Sequence, residues 1–343
     1  MSRLLIALII ALLWHLTPVY AYEFKQLNHF FDILENNYAP QINIRQLFSY
    51  SEKYLTEIDS KIHLSHNDSQ AFLYKEDKLV EIFNLPQDTS FASWKQTFST
   101  ILSAGCVHSK VISSSSSILE SKILSSIIKQ LDKYTHLSSA STQHLAFEAT
   151  IKDNILYVKL ERFLAGQTES LKQIISQYPT LDGMILDIRD NHGGQFNEAL
   201  KIADLFLDNT LMAYSQEKNQ PLRFYRAHRG DILKGKPLIV LINEQTASSA
   251  ELVAAALSEQ SRATLIGTKT YGKGSIQQKH QLEDKILYLT SGYFYTPSGQ
   301  KINETGIMPQ ICTGQGQSCL NSDKKDYTKD ITTALQLIKK QLS

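Results

Sequence analysis

Three segments of the sequence carry residue types that could perform acyl transfer. Ser248 opens an apolar helical run, Lys273 lies between two glycines, and Gly193 and Gly194 precede another predicted helix. A serine hydroxyl is a weak nucleophile unless a nearby base removes its proton. A lysine in a desolvated position loses its own proton near neutral pH and can act as that base. Each segment alone is a weak signal, because Ser248 could be a simple N-cap and the glycines could form any tight turn.

The segment from Gly267 to Gly274 almost matches a phosphate-binding loop, but one position contradicts that interpretation. Gly274 stands where the loop requires Ser or Thr, and a strand-like run follows it instead of a long helix. We therefore expect no nucleotide site here. The role left for Lys273 is that of an inward-pointing base, whereas Lys269 is expected to face solvent.

The hydrophobic pattern predicts an α/β core that would position these segments. Strands are predicted at 147–151, 155–160, 184–188, 237–243, near 265 and at 286–289, and helices at 168–177, 196–205 and 250–257. Asp153 and Asn154 are expected to form the turn of a hairpin between the first two strands. Strands that alternate with helices indicate a sheet with crossover helices, and such sheets collect reactive groups at the carboxyl ends of their strands.

The region before this core is predicted to be an all-helical domain over residues 22–143. Apolar residues recur at helical spacing from Phe24 to Leu34 and again from Phe91 to Leu102. Five consecutive serines at 113–117 are expected to begin another helix. The second domain is then expected to cover residues 144–343, with a helix at its C-terminal end.

Composition and the N-terminus exclude several classes of protein. The chain has 343 residues with 35 Lys and Arg against 34 Asp and Glu, so it shows no electrostatic signature of nucleic-acid binding. Three cysteines are too few for a disulfide scaffold, and no C-x-x-C pair indicates a zinc site.

Residues 1–21 are typical of a secretory signal peptide. Arg3 precedes the apolar run 4–14, and Val19-Tyr20-Ala21 resembles the small-x-small pattern of a cleavage site. That run is shorter than the roughly 20 apolar residues that span a bilayer. We therefore expect an exported protein, periplasmic or secreted, with no stable membrane anchor after signal cleavage; an uncleaved amphipathic anchor is the alternative. The sequence does not indicate an oligomeric state.

The order of four motifs resembles the carboxyl-terminal processing, or tail-specific, proteases, which are Ser/Lys peptidases. The matching segments are 186–194, 246–251, 270–277, and 295–299 with 306–309. Residues 131–135 are also similar to the family motif that closes its N-terminal helical region. The resemblance implies a crotonase-like catalytic core and a serine endopeptidase that uses no metal or cofactor. It also implies protein or peptide substrates, with cleavage near their C termini.

The resemblance further implies a role for each residue that matches the catalytic pattern. Ser248 is expected to be the nucleophile, Lys273 its general base and Gln277 the residue that orients the lysine amine. Ser248 is preferred to Ser249 because it directly follows the Ala of its motif and lies 25 residues before Lys273.

The backbone N–H groups of Ser249 and Gly194 are expected to form the oxyanion hole, with Gly193 as a competitor for the second position. Glu259 stands eleven residues after the expected nucleophile, where some relatives have Asp, and is expected to be structural. His192 is expected to be an ordinary loop residue.

Arg189 and the cysteines are expected to support the structure. Arg189 should brace its loop through a buried pair with a carboxylate, for which Glu251 is the candidate. Cys312 and Cys319 can form a disulfide in an exported protein, which would leave Cys106 as a buried free thiol.

One departure from the family concerns the PDZ domain that many relatives carry between their helical region and catalytic core. Here only the 18 residues 136–153 separate the corresponding motifs, and domains below about 40 residues rarely fold without staples. The chain therefore resembles a member that lacks the PDZ domain. The alternative function is a non-catalytic relative that binds a peptide or another ligand. The joint presence of Ser248, Lys273 and Gln277 argues against that alternative.

Overall fold

The computed structural model describes residues 22, 24–138, 147–282, 285–316, 319 and 328–342. The chain divides into two compact units, one of residues 1–139 with 279–289 and one of residues 140–278 with 290–343. The predicted signal peptide at 1–21 lies outside the described residues. Among the helices that are described, none is long and apolar enough to cross a membrane.

The first unit is mainly helical. Its helices are α1 (Lys25–Asn37), α2 (Ile44–Ser51), α3 (Lys53–Ile58), α4 (Phe91–His108), α5 (Lys110–Ser114) and α6 (Ser116–Gln130). Apolar residues of α1, including Leu27, Phe30 and Phe31, are fully buried at helical spacing. Ser90 caps α4 by accepting a hydrogen bond from the Ser93 N–H.

The prediction of an all-helical first domain is wrong between residues 62 and 84. There β1 (Ile62–His66), β2 (Gln70–Lys75) and β3 (Lys78–Asn84) form an antiparallel sheet in the order β1-β2-β3. Glu76 and Asp77 form the turn between β2 and β3, with φ of 49° and 61°. Short strands joined by such turns leave no helical period in the sequence, and Glu-Asp lacks the glycine that usually marks this turn.

The second unit is built on a six-stranded sheet in the order β14-β11-β10-β7-β6-β5. Its strands are β5 (Phe147–Lys152), β6 (Ile155–Leu160), β7 (Gly183–Asp187), β10 (Leu238–Ile242), β11 (Thr264–Gly267) and β14 (Ile311–Cys312). Neighbours from β6 to β14 run parallel, and β5 is antiparallel to β6. The α/β fold class expected from the sequence is confirmed.

Helices cover both faces of this sheet. They are α7 (Gln167–Gln177), α8 (Phe196–Asp204), α9 (Ser249–Glu259) and α10 (Thr328–Leu342). Leu186 and Val240 belong to a core with residues of α7, α8 and α9, whereas Ile185 and Ile239 pack on the other face with Ile338 of α10. Burial on both faces explains why these strands are continuously apolar in sequence.

A second sheet has the order β12-β13-β8-β9. Its strands are β8 (Leu211–Glu217), β9 (Arg223–Arg226), β12 (Ser275–Leu282) and β13 (Lys285–Tyr295), and β4 (His136–Ser138) pairs with β13. From this sheet the sequence predicts only residues 286–289 and the strand-like run that follows Gly274. The sequence of β12, SIQQKHQL, is mostly polar, and it corresponds to the strand-like run predicted after Gly274; pairing with β13 supports its conformation.

Candidate active site

The loops with chemically capable residues follow three neighbouring parallel strands. β7 ends at Asp187, β10 at Ile242 and β11 at Gly267, and the three strands lie side by side in the order β11-β10-β7. Their carboxyl ends therefore meet at one edge of the sheet, where α/β proteins bind ligands. Residues 188–195, 243–248 and 268–274 all leave the sheet at that edge.

Ser248 occupies a strained backbone position directly before α9. It has φ of 60° and ψ of −126°, a combination that side chains disfavour. Such strain costs about 1–3 kcal/mol and is typically found at functional sites. Ser248 is half-buried, whereas the neighbouring Ser249 is buried and its hydroxyl has no hydrogen-bond partner among the described residues. The two adjacent serines therefore have clearly different environments.

Glu251 is a fully buried carboxylate at the start of α9 that accepts four hydrogen bonds. Its Oε2 accepts the N–H groups of Ser248 at 2.9 Å and Lys273 at 2.8 Å. Its Oε1 accepts the N–H of Gly272 at 2.7 Å and the hydroxyl of Thr270 at 2.5 Å. Burial raises the pKa of Glu251, although all four donors act in the opposite direction.

This carboxylate brings the serine loop and the lysine loop together. Because one oxygen accepts both N–H groups, the backbone nitrogens of Ser248 and Lys273 lie within about 6 Å of each other. The sequence analysis did not assign this role to Glu251. The signal that could have revealed part of it is the spacing Ser248-x-x-Glu251, which is that of a helix capping box.

Gly193 packs directly against Ser248. It has φ of 94°, and a Cβ at this position would lie 2.9 Å from the Cβ of Ser248. Only glycine therefore fits here without displacing the serine. The Gly193 N–H donates to Oδ1 of the buried Asn191 at 2.8 Å.

Gly194 is exposed and pairs with Phe163 in an isolated parallel β-bridge. The hydrogen bonds of this bridge are formed by the residues on either side of Gly194. The Phe163 N–H donates to the Gly193 carbonyl at 3.1 Å, and the Gln195 N–H donates to the Phe163 carbonyl at 2.9 Å. In this parallel pattern the N–H of Gly194 itself is not part of the bridge. The two glycines therefore differ, because only the N–H of Gly193 is held by a side chain of its own loop.

Gln277 lies on β12, and only the nitrogen of its side-chain amide is hydrogen bonded among the described residues. Its Nε2 donates to the Thr290 hydroxyl of β13 at 2.6 Å. Its Oε1 is buried and accepts no hydrogen bond from any described residue. A buried acceptor without a donor costs free energy, so this oxygen is available for a donor that enters the site.

Arg189 does not pair with Glu251, so that expectation is wrong. Its guanidinium instead binds Asp187 in a bidentate manner and Asp330 of α10 at 2.9 Å. All three side chains are buried, and Tyr157 donates to Asp187 at 2.6 Å. Glu251 already accepts four hydrogen bonds, so its carboxylate does not need an arginine to compensate its charge. The two aspartates raise the pKa of Arg189 against the effect of burial.

We expect Asp330→Ala to lower the free energy of unfolding by about 3 kcal/mol, since removing one partner leaves a buried guanidinium undercompensated. The exposed pair of Lys122 and Glu57, at 3.1 Å, provides the control. Glu57→Ala should change the stability by no more than about 0.5 kcal/mol. Urea denaturation measures both, and equal stabilities of the two variants would contradict the structural role of Asp330.

The other residues singled out from the sequence lie around this edge. His192 is exposed, and Glu259 accepts the backbone N–H of Ser298 at 2.7 Å. Cys312 and Cys319 form a disulfide, and the N–H of Lys269 donates to the carbonyl of Cys319 at 3.0 Å.

The third cysteine forms no disulfide. Cys106 is buried and free, and burial raises its pKa to about 11. No group of His, Cys, Asp or Glu suited to a metal ion occurs in the described ranges.

These features define an α/β protein in which a strained serine lies next to a lysine-containing loop, at the carboxyl ends of the parallel strands. Residues 154–313 match the model of peptidase family S41, and this region is similar to that family. It is 38% identical over 179 residues to a carboxy-terminal-processing protease of Bartonella bacilliformis, covering 50% of this chain and 41% of that protein. It is 35% identical over 156 residues to a carboxyl-terminal-processing protease of Synechocystis, covering 45% and 36%.

The similarity covers less than the whole length of these relatives, since the chain spans about two fifths of them. Among solved structures, a lipoprotein from Streptococcus agalactiae aligns over 89% of this chain and 99% of its own, with 15% identity and a TM-score of 0.51. That likeness concerns the fold alone.

Proposed function

We propose that the chain is a serine endopeptidase that cleaves polypeptides through a covalent acyl-enzyme. The observation that carries the proposal is the single Glu251 oxygen that holds the backbones of Ser248 and Lys273 together. A pure binding protein has no need for a strained serine beside a tethered lysine, whereas nucleophilic catalysis requires a serine and a base in proximity.

In the proposed reaction, Lys273 acts as general base and then as general acid. Its neutral amine takes the proton of Ser248 Oγ as that oxygen attacks the scissile carbonyl, and it returns the proton to the leaving amine. Water then attacks the acyl-enzyme in the same manner and regenerates the serine. The buried, unpartnered Oε1 of Gln277 supports its role as the acceptor that orients the lysine amine.

The oxyanion hole is proposed to consist of the backbone N–H groups of Ser249 and Gly194. Two preorganised donors of this kind typically contribute several kcal/mol to transition-state stabilisation. The bond from the Gly193 N–H to Asn191 favours Gly194 over Gly193, because the N–H of Gly193 already has an acceptor. The position of Ser249 at the first turn of α9 adds the positive end of the helix dipole.

Substrates and location follow from the relatives and the sequence pattern. The matched relatives are described as carboxyl-terminal processing proteases, so we propose protein or peptide substrates cleaved near their C termini. The pattern of residues 1–21 favours export, with the periplasm as the proposed compartment. The proposed chemistry uses only side chains and backbone groups of this chain.

A serine-reactive fluorophosphonate probe tests the assignment of the nucleophile. The wild type and Ser249→Ala should both be labelled, because Ser249 contributes only its backbone, whereas Ser248→Ala should not be labelled. Gel fluorescence measures labelling, and digestion of an unfolded protein measures cleavage in parallel. Loss of labelling in Ser249→Ala with full labelling of Ser248→Ala would contradict the assignment, as would undiminished proteolysis by Ser248→Ala.

A further inference from the structure

The second sheet ends in the short strand β9. β9 pairs with β8, and no other strand of the described chain lies beside it. We call residues 218–230, which contain β9, the basic edge. An unpaired strand offers its free N–H and C=O groups to another extended chain.

Two large apolar side chains of the basic edge are exposed. Leu222 is 47% exposed and Phe224 is 57% exposed. The Phe224 ring lies 5.7 Å from that of Tyr214, which in turn stacks on Tyr295 at 4.9 Å. This row of rings limits the freedom of Phe224, so little additional entropy is lost when a partner covers it.

The opposite face of β9 is anchored in the second unit. The Tyr225 ring packs edge-on against Phe196 at 4.9 Å, and its hydroxyl hydrogen bonds with that of Ser215 at 3.1 Å. The face of β9 that carries Tyr225 therefore packs against the rest of the second unit, whereas the other face and the outer edge of the strand face outward. Such a preorganised strand is suited to the addition of a further strand.

The basic edge is rich in basic side chains. Residues 218–230 contain four Lys and Arg and no Asp or Glu. Arg223, Arg226 and Arg229 are exposed and form no ion pair with any residue in the described part of the chain. The residues opposite Arg223 and Arg226 on β8 are Ser215 and Leu211, which carry no charge.

The carboxylates nearest in sequence and sheet position bind groups other than Arg223, Arg226 and Arg229. Asp204 accepts the N–H and the ring nitrogen of His228, and Asp231 binds Arg262. Glu217 accepts from Gln278 and the Ser291 hydroxyl. The guanidinium of Arg223 lies over the Tyr225 ring at 5.4 Å, and within the described chain no carboxylate forms an ion pair with Arg223, Arg226 or Arg229, so these three groups can bind acidic groups of a partner.

We infer that the basic edge binds an extended, acidic segment of a polypeptide, which adds to β9 as a further strand. Backbone hydrogen bonds give the strand geometry, Phe224 and Leu222 contact apolar side chains of the segment, and Arg223 and Arg226 bind its carboxylates. A second copy of the same edge would bring like charges together and is disfavoured. The role of this surface as a docking site for substrates rests on the proposed function, whereas the binding itself does not.

The test uses the Ser248→Ala protein, so that binding is measured without cleavage. Fluorescence anisotropy with a labelled peptide of alternating Glu and Val should show binding that weakens as salt is added. The double variant Arg223→Glu with Arg226→Glu should lower the affinity at least tenfold, and Phe224→Ala about threefold. A matched control, Lys110→Glu with Lys152→Glu, changes the net charge equally at exposed sites and should bind like the parent.

Several results would overturn the inference. They are equal affinity of the double variant and the parent, equal binding of a peptide with Lys in place of Glu, and a loss of affinity in the control as large as in the double variant. Binding to anionic lipid vesicles without binding to the peptide would also overturn it, as would a dimer that the double variant abolishes. Cleavage of a short neutral peptide by the double variant with Ser248 intact reports the proposed function separately, and it should equal that of the wild type.

Discussion

If the proposed mechanism holds, replacing Lys273 with methionine is expected to reduce kcat for polypeptide cleavage by roughly 10⁴-fold, as removal of one member of the catalytic triad does in serine peptidases. Methionine keeps the length and volume of the side chain but removes the amine, so Ser248 loses the base that takes its proton. KM should change little, because the amine acts on the proton and does not bind the substrate.

The matched control for this variant is Lys269→Met, which lies four residues earlier on the same loop. The backbone N–H of Lys269 donates a hydrogen bond to the carbonyl of Cys319. A methionine at position 269 retains this backbone N–H. Steady-state kinetics with a labelled polypeptide should give nearly wild-type kcat for Lys269→Met. Equal loss in both variants would mean that the loop, and not the Lys273 amine, limits the activity. Thermal melting of each variant separates loss of chemistry from loss of folding.

The position of the site could be predicted from the sequence because its parts are local. Each chemical segment directly follows an apolar strand, and the buried strands β7 and β10 are visible as continuous hydrophobic runs. Neighbouring parallel strands then bring Gly194, Ser248 and Lys273 to the same edge. The distinction between Ser248 and Ser249, drawn from motif spacing, corresponds to different backbone conformations, since only Ser248 has a positive φ.

The contacts that hold these loops could not be predicted, because they join distant parts of the chain. Asp330 and Arg189 are 141 residues apart, and no local pattern indicates which carboxylate a buried arginine will choose. The strands β8 and β9 were missed for a related reason. Their conformation depends on pairing with β13 and β8, and tertiary pairing outweighs weak local preference.

For Glu251, the local sequence pattern predicts one of its contacts but not its full role. The capping spacing places its carboxylate near the Ser248 N–H, which is a local contact. Its bonds to Thr270, Gly272 and Lys273 come from a loop about twenty residues later, which the spacing does not include. A residue that caps the helix therefore also holds the backbone of Lys273 close to that of Ser248.

Replacing Glu251 with glutamine is accordingly expected to lower kcat at least ~10²-fold, although Glu251 is not assigned any proton transfer. An amide has one acceptor oxygen, so its NH₂ group would face two of the four donors that the carboxylate now accepts. Each buried donor left without an acceptor costs about 1–3 kcal/mol, and a displacement of Ser248 from Lys273 by about 1 Å can cost a hundredfold in rate.

The control for Glu251 is Glu259→Gln on the same helix, whose carboxylate accepts the N–H of Ser298. This variant should keep kcat within about twofold of the wild type, because an amide oxygen can still accept that bond. Thermal denaturation should show a lower melting temperature for Glu251→Gln, and labelling by the fluorophosphonate probe should slow in parallel with kcat. If Glu251→Gln kept wild-type labelling and kcat while losing stability, the carboxylate would only cap α9. A loss of both in a folded protein would instead mean that this one buried oxygen sets the distance between the serine and its base.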